Sequence, residues 1–316
     1  MPSLKHLNIV LISLTFLLAG CFEKRDPFLI CDNSDCSYSL VLPGIILIQT
    51  DNYQNREYFF LTPQGLKKTK LKIKEGTLFA YDFKRDIGAV KKTETDNFVI
   101  STVNAKGAEI EEISLPTEVA SINSGCFLKN GSLAMLLLKE HYGHMIREYI
   151  ISISDEENIN NWESFVIDEQ DISEFANFAE LDSPLGSAIE KPFSIQCSNN
   201  RIFVHTLSVF SDMAKANIYE FDVKKKSLTF LTDYHPLNEK KDEISVFFNE
   251  RSNTGYFHQN RRIFAVKGTS YPIKTSFEQP GKILFSPLSS DGKLLVFFVP
   301  DIDSPFRAKA RVMGFN

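Results

Sequence analysis

The chain has 316 residues, of which 43% are hydrophobic and 24% charged, and its formal net charge is −5 at pH 7. Lysines are interspersed with Asp and Glu, so the sequence carries neither a basic field for nucleic acid nor an acidic tail. The length is ample for a hydrophobic core in one large all-β domain or two average domains, and 27 Phe against one Trp point to extensive apolar packing.

A short start with Lys5 and His6 leads into an apolar run from Leu7 that ends in Leu18-Ala19-Gly20-Cys21. A basic start, an apolar stretch of about 13 residues and a small-residue cleavage region make an export signal, too short to span a bilayer comfortably. Residues 1–20 are therefore predicted to be removed. The ending Leu18, Ala19, Gly20, Cys21 resembles the lipobox of bacterial lipoproteins. That resemblance implies cleavage before Cys21 and its diacylation, with a further amide-linked chain in Gram-negative cells. Membrane lipid is then a partner through acylated Cys21, and each buried methylene contributes about 0.8 kcal/mol to the anchoring. Phe22 stands where the family's inner-membrane retention pattern has Asp, which implies an outer-membrane address facing the periplasm. An ordinary secretory signal with a chance cysteine is the alternative.

With Cys21 assigned to lipid, Cys31, Cys36, Cys126 and Cys197 remain in a compartment that permits disulfides, and four cysteines allow three pairings. Cys31 and Cys36 bracket the turn-like Asp32-Asn33-Ser34-Asp35, and pairing them leaves Cys126 with Cys197. Free buried thiols are the alternative.

Residues 21–30 read as a lipidated N-terminus and short tether, so the body is expected close to the membrane. From Cys31 the chain reads as antiparallel strands. Tyr38–Leu42 and Ile45–Ile48 are divided by Pro43-Gly44, and Glu57–Leu61 is followed by Pro63-Gln64-Gly65 and the alternating Leu66–Ile73. Gly76 precedes Thr77–Phe83, Phe98–Val103 follows Asn97, and Lys106-Gly107 separates that segment from Ile110–Leu115. Asn130-Gly131, between Cys126-Phe127-Leu128 and Leu133–Leu138, is a tight-hairpin signal because Asn and Gly tolerate positive φ. Tyr149-Ile150-Ile151 reads as a strand buried on both faces, Asp155–Asn161 as a polar connection and Ser164–Ile167 as a strand. Asp168–Leu181 differs: Ile172, Phe175, Ala176 and Ala179 recur at helical spacing behind an acidic first turn, which predicts one short helix. Pro184 and Gly186 close it, and 182–192 is the best boundary if there are two domains.

Strand-like segments resume at Arg201–Thr206, Asn217–Val223 and Leu228–Thr232, with Lys224-Lys225-Lys226 at a turn. The Ile-Tyr-Glu-Phe-Asp-Val strand, polar turn and returning Leu-Thr-Phe-Leu-Thr strand resemble outer strands of blades in periplasmic Tol-type and Trp-Asp-repeat-like β-propellers. Phe285-Ser286-Pro287, then Ser290-Asp291-Gly292-Lys293 and Leu294–Val299, resemble the Ser-Pro-Asp-Gly-Lys hairpin entry of those families, with Leu288 and Ser289 intervening. The resemblance is carried by 193–235 and 281–299, with an echo at 125–153. It implies an all-β fold with six or seven irregular blades over 31–300, into which the short helix of 168–181 would be inserted, and 301–316 as a C-terminal tail or closing edge.

Chemistry is sparse. His141 and His144 lie near Glu140 and Glu148 but match no zinc spacing, and His205, His235 and His258 are isolated, so no metal site or cofactor is expected. The acidic groups Asp32–Asp35, Asp155–Glu157 and Asp301–Asp303 do not match a calcium loop and read as solvated turns. No nucleophile elbow or phosphate-binding loop occurs, so no catalytic residue is assigned. The expected function is a membrane-anchored periplasmic protein-binding or structural scaffold in a cell-envelope assembly or secretion complex. A periplasmic hydrolase or glycan-binding lipoprotein is the alternative, and it requires paired carboxylates around a sugar-sized cleft or a nucleophile touching a histidine.

Overall fold

The computed structural model describes residues 22–24, 28–29, 37–42, 44–50, 55–62, 65–69, 71, 73, 75–94, 97–104, 109–115, 121–141, 146–167, 190–210, 213–234, 245–250, 253–259, 262–267, 273–278, 282–288, 293–299 and 307–313. Every element among them is a strand. The short β1 (Phe22–Lys24) and β2 (Phe28–Leu29) come first. Next, β3 (Ser37–Leu42), β4 (Ile45–Thr50), β5 (Asn55–Thr62) and β6 (Gly65–Lys68) form an antiparallel meander. Four-stranded meanders of the same connectivity follow. The first is β7 (Thr77–Asp82), β8 (Ile87–Glu94), β9 (Asn97–Val103) and β10 (Glu109–Ile113). The second is β11 (Ser121–Phe127), β12 (Leu133–His141), β13 (Ile146–Ser154) and β14 (Trp162–Ile167). The third is β15 (Glu190–Ser198), β16 (Arg201–Phe210), β17 (Met213–Asp222) and β18 (Ser227–Tyr234). The fourth is β19 (Ser245–Asn249), β20 (Thr254–Gln259), β21 (Arg262–Lys267) and β22 (Ile273–Glu278). The chain ends in β23 (Lys282–Leu288), β24 (Lys293–Val299) and β25 (Arg307–Met313).

These elements fall into two compact units. One comprises 1–68 with 279–316. It holds the β3–β6 sheet and a terminal sheet in which β23, β24 and β25 lie in order. The N-terminal β1 and β2 both pair antiparallel with β25, Phe22 opposite Met313 and Phe28 opposite Ala308.

The other unit, Thr69–Glu278, consists of the four sheets from β7 to β22. Here β7 lies beside β11 and β11 beside β15, so the first strands of successive sheets are neighbours and the sheets splay outward from them, a propeller-like arrangement. Each sheet packs face to face on the next. Along β12, Leu133, Met135 and Leu137 point into the layer shared with Ala89 and Ile100. The intervening Ala134 and Leu136 point into the layer shared with Ile202, Val204 and Tyr219. A strand covered on both faces has no solvent side, which is why Leu133–Leu138 is an unbroken apolar run. Along β16, Phe203 turns the opposite way from Ile202 and Val204, toward Phe248, Phe257 and Val266 of the fourth sheet. Each such side chain contributes about 1.5–3 kcal/mol by leaving water.

The sequence expectation of six or seven blades is corrected by this count. The compact unit that carries the propeller-like packing has four four-stranded sheets. Its first strands begin at Thr77, Ser121, Glu190 and Ser245, spacings wider than the repeat of about 40 residues assumed from blade length. The helix expected over 168–181 lies outside the described residues, and no helix occurs among those described.

Candidate functional site

In a four-stranded antiparallel meander the first and third connections lie at the same end of the sheet. In unit Thr69–Glu278 the first connections of neighbouring sheets are also bonded to one another. Arg85, in the turn after β7, donates from Nη2 to the Gly131 carbonyl at 2.8 Å. Gly131 has φ 105°, a backbone conformation that favours glycine. Lys129 N–H donates to the Asn199 carbonyl at 2.7 Å, and Asn130 N–H to Asn200 Oδ1 at 3.3 Å. Beyond β15, Glu250 accepts from Ser198 Oγ at 2.6 Å, Asn199 Nδ2 at 3.0 Å and Arg201 Nη1 at 3.0 Å. Arg201 also grips Glu220 through two bonds of 2.5 Å. Burial pushes the Glu250 carboxyl up, but the Ser198, Arg201 and Asn199 donors outweigh it and hold the group below the ordinary range. A chain of polar contacts thus runs across all four sheets and fixes their hairpins as one face.

Two turns on this face share a design. Asp82 Oδ1 accepts from Lys84 N–H and Arg85 N–H at 2.8 and 3.0 Å, and Asp222 Oδ1 accepts from Lys224 N–H and Lys225 N–H at 3.0 and 3.1 Å. Each turn closes on a residue at φ 55°, Asp86 and Lys226. Backbone donors hold the Asp222 carboxyl below the usual carboxylate range. The turns present Phe83, 61% exposed, with Lys84 and Arg85, and at the second site three exposed lysines, Lys224, Lys225 and Lys226.

At the same end of the second sheet lies a cleft of ≈ 430 Å³ between the Asn130–Ser132 turn, the Asp155–Asn161 connection and the start of β14 at Trp162 and Glu163. Asp155 Oδ1 shapes that connection by accepting from Glu157 N–H and Asn158 N–H, and Asp155 N–H donates to the Asn161 carbonyl. Asn160 ties it to the preceding sheet by accepting from Ser114 N–H and donating to Glu111 Oε1, each at 2.8 Å. Trp162 Nε1 donates to the Ser114 carbonyl at 2.9 Å, which fixes the indole. Carboxylates of Asp155, Glu156 and Glu163 border the opening, and Lys226 Nζ stands 3.5 Å from Glu163.

A serine does touch a histidine. Ser194 Oγ lies 2.9 Å from His205 Nδ1, where β15 and β16 pair around a bulge between Pro192 and Ser194. The surroundings do not suit catalysis. His205 is 2% exposed, its Nε2 has no partner, and burial pushes its pKa down from 6.5 to about 3. A base so weakened is far from the operating pH that proton transfer needs, and no carboxylate orients the ring among the described residues. The pair belongs to the packing between the third and fourth sheets, beside Phe193.

Cys126, at the end of β11, and Cys197, on β15, form a disulfide with their Cα atoms 5.6 Å apart. It staples the first strands of the second and third sheets and packs against their shared core. Leu18, Ala19, Gly20, Cys21, Cys31 and Cys36 lie outside the described residues, as do His144, His235, Asp32–Asp35 and Asp301–Asp303. Among the described residues no group of three His, Cys, Asp or Glu is placed to hold a metal ion. The interlocked hairpins and the cleft were not found from the sequence. The repeated Asp-x-Lys-basic run at 82–85 and 222–225 was their available signal.

No protein-family model matches the chain, and no curated protein matches it. Among solved structures the chain is similar to the CNH domain of AfRom2, with 11% identity, 92% of this chain and 100% of that one covered, and a TM-score of 0.42. It is similar to an alpha-L-arabinanase of Penicillium chrysogenum complexed with arabinobiose, with 13% identity, 92% and 98% covered, and a TM-score of 0.46. A nidogen/laminin complex gives 11% identity, 80% and 88% covered, and a TM-score of 0.45. Likenesses this weak assign no activity.

Proposed function

We propose that this chain is an envelope protein, tethered to a membrane by acylated Cys21, whose β-sheet body is a protein-binding scaffold. The observation that supports this reading is the hairpin face of unit Thr69–Glu278. Its turns are bonded from sheet to sheet through Arg85–Gly131, Lys129–Asn199 and Arg201–Glu250. A surface held in place before binding loses little conformational freedom when a partner docks. It presents an aromatic side chain, Phe83, among cationic ones, a mixture that suits a protein partner. The tether would confine that face to a two-dimensional search along the membrane, at the periplasm-facing outer-membrane address implied by Phe22. The test of the anchor is fractionation of Cys21→Ser in a Gram-negative host. The variant body should keep its thermal midpoint and move to the soluble periplasmic fraction. Membrane retention equal to wild type would remove lipid anchoring from the account.

A further inference from the structure

We propose that the outer strands of the terminal sheet, β1 and β25, form a second membrane contact, one that takes the anionic headgroups of the phospholipids around acylated Cys21. The inference deepens the scaffold reading and rests on its anchor. Its first support is where charge collects. The chain carries a formal net charge of −5. Against that background the strands of the terminal sheet hold Lys24, Lys282, Lys293, Arg307, Lys309 and Arg311, with Glu23 as their one acidic residue.

The second support is register. The order β1-β25-β24-β23 puts β1 and β25 on the outside of the sheet, and Lys24 stands opposite Arg311. Residues opposite one another in a ladder share a face, as do alternate residues along a strand. Positions 24, 307, 309 and 311 therefore lie on one face, together with Phe22 and Met313, while Glu23 falls on the other. From Arg307 to Arg311 the row runs about 13 Å. Like charges set directly opposite each other are destabilising. The next positions across the ladder are Val296 beside Arg311 and Phe298 beside Lys309, so among the described residues these rows hold no acid. An anion from outside the sheet would relieve the repulsion.

The anchor decides which anion that is. Phe22, the first residue of β1, directly follows Cys21, so acyl chains inserted from Cys21 would hold this end of the sheet at the headgroups. Lys24 is three residues on, within about 10 Å, and that is about one Debye length at 0.1 M salt. Anionic headgroups are the charges this geometry brings within range. Arginine at 307 and 311 suits them, because its planar fork matches phosphate. An acidic protein would meet the same charges, but nothing would place it beside the anchor.

The test uses the mature chain carrying Cys21→Ser, so that no acyl chain contributes. It is floated with vesicles of phosphatidylglycerol and phosphatidylcholine in equal parts, and with vesicles of phosphatidylcholine alone, and is titrated separately with hexaglutamate. The expected result is partition onto the phosphatidylglycerol vesicles only, lost in about 1 M salt, where the screening length shrinks to about 3 Å. A basic residue near an anionic surface is worth about fivefold in partition, so Lys309→Gln with Arg311→Gln should lower it about 25-fold. Lys191→Gln removes an exposed charge from β15 in the other unit and should leave partition unchanged. The thermal midpoint of each variant is read alongside, and if the double variant unfolds, the lipid and salt dependence of the parent chain decides. The proposal is overturned if the chain floats with neither kind of vesicle, if it floats equally with both, if only hexaglutamate binds, or if Lys191→Gln costs as much per charge as the double variant. In cells a high-salt wash should release the Cys21→Ser chain and leave the acylated wild type on the membrane. Release of both would count against the anchor and not against this contact, so the two failures are distinguishable.

Discussion

Removing the staple between the second and third sheets gives the largest single loss of stability expected in unit Thr69–Glu278. The perturbation is Cys126→Ala with Cys197→Ala, or reduction of the wild type. The two cysteines are 71 residues apart in sequence. In the chain-entropy model, freeing a loop of that length relaxes the unfolded state by about 4 kcal/mol. The folded state should change little, because the same seam keeps the core of Ile151, Phe165, Ile195, Ile202 and Tyr219. Ile195 N–H also donates to Ser124 Oγ at 2.7 Å across the seam, and the Lys129–Asn199 bond remains. At about 2–4 °C per kcal/mol for a unit of this size, the thermal midpoint should fall by roughly 8–16 °C. The assay is thermal and urea unfolding of wild type and double variant, each with and without dithiothreitol. Reductant should lower the wild type to the level of the variant and leave the variant unmoved. Equal midpoints for oxidised wild type and the variant would refute the reasoning.

The remaining predictions rest on two other packed positions. His205 is held neutral in the fold, with its pKa lowered from 6.5 to about 3, so the unfolded chain binds a proton that the folded chain refuses between those values. Its contribution is complete above pH 6.5 and is lost as pH falls toward 3. By pH 4.5 the loss is about 3 kcal/mol. Unfolding of His205→Leu should accordingly show a shallower acid slope than wild type over that window, and parallel slopes would contradict the assignment. Gly255 lies where a Cβ would come within 2.8 Å of Phe257, 2.9 Å of Thr232 and 3.0 Å of Ile218. Gly255→Ala should therefore overpack the seam between the third and fourth sheets and destabilise by about 1–3 kcal/mol, read as a shift in urea midpoint.

Strands were legible in the sequence wherever their burial left a pattern. Tyr149-Ile150-Ile151 reads as a strand buried on both faces, and Ile150 packs on one side with Ile151 on the other. Asn130-Gly131 marks a real turn, with Gly131 at φ 105°. The number of sheets per unit was not legible because the connections between sheets vary in length, which blurs any period. The recurring Asp turn does not restore it: Asp82 closes a first connection and Asp222 a third, so the same local chemistry marks different places in a sheet. Ser194 and His205 meet because a bulge shifts the register by one residue, and their separation in sequence does not announce it. The cleft was hidden for a similar reason. Asp155–Asn161 reads as an ordinary polar connection until Asn160 and Trp162 are seen bonded to Glu111 and Ser114, far away in sequence.

The scaffold reading is tested most directly by amine-specific crosslinking of the wild-type protein in intact cells, followed by capture from membranes and mapping of the crosslinked lysines. Lys84, Lys129, Lys224 and Lys225 are exposed on the hairpin face and supply the reactive groups. The account predicts a stoichiometric envelope protein joined through these lysines, and a loss of that product when Lys84 and Lys224 are changed to Glu. Recovery of no stoichiometric partner, or of one joined only through lysines away from this face, would contradict it.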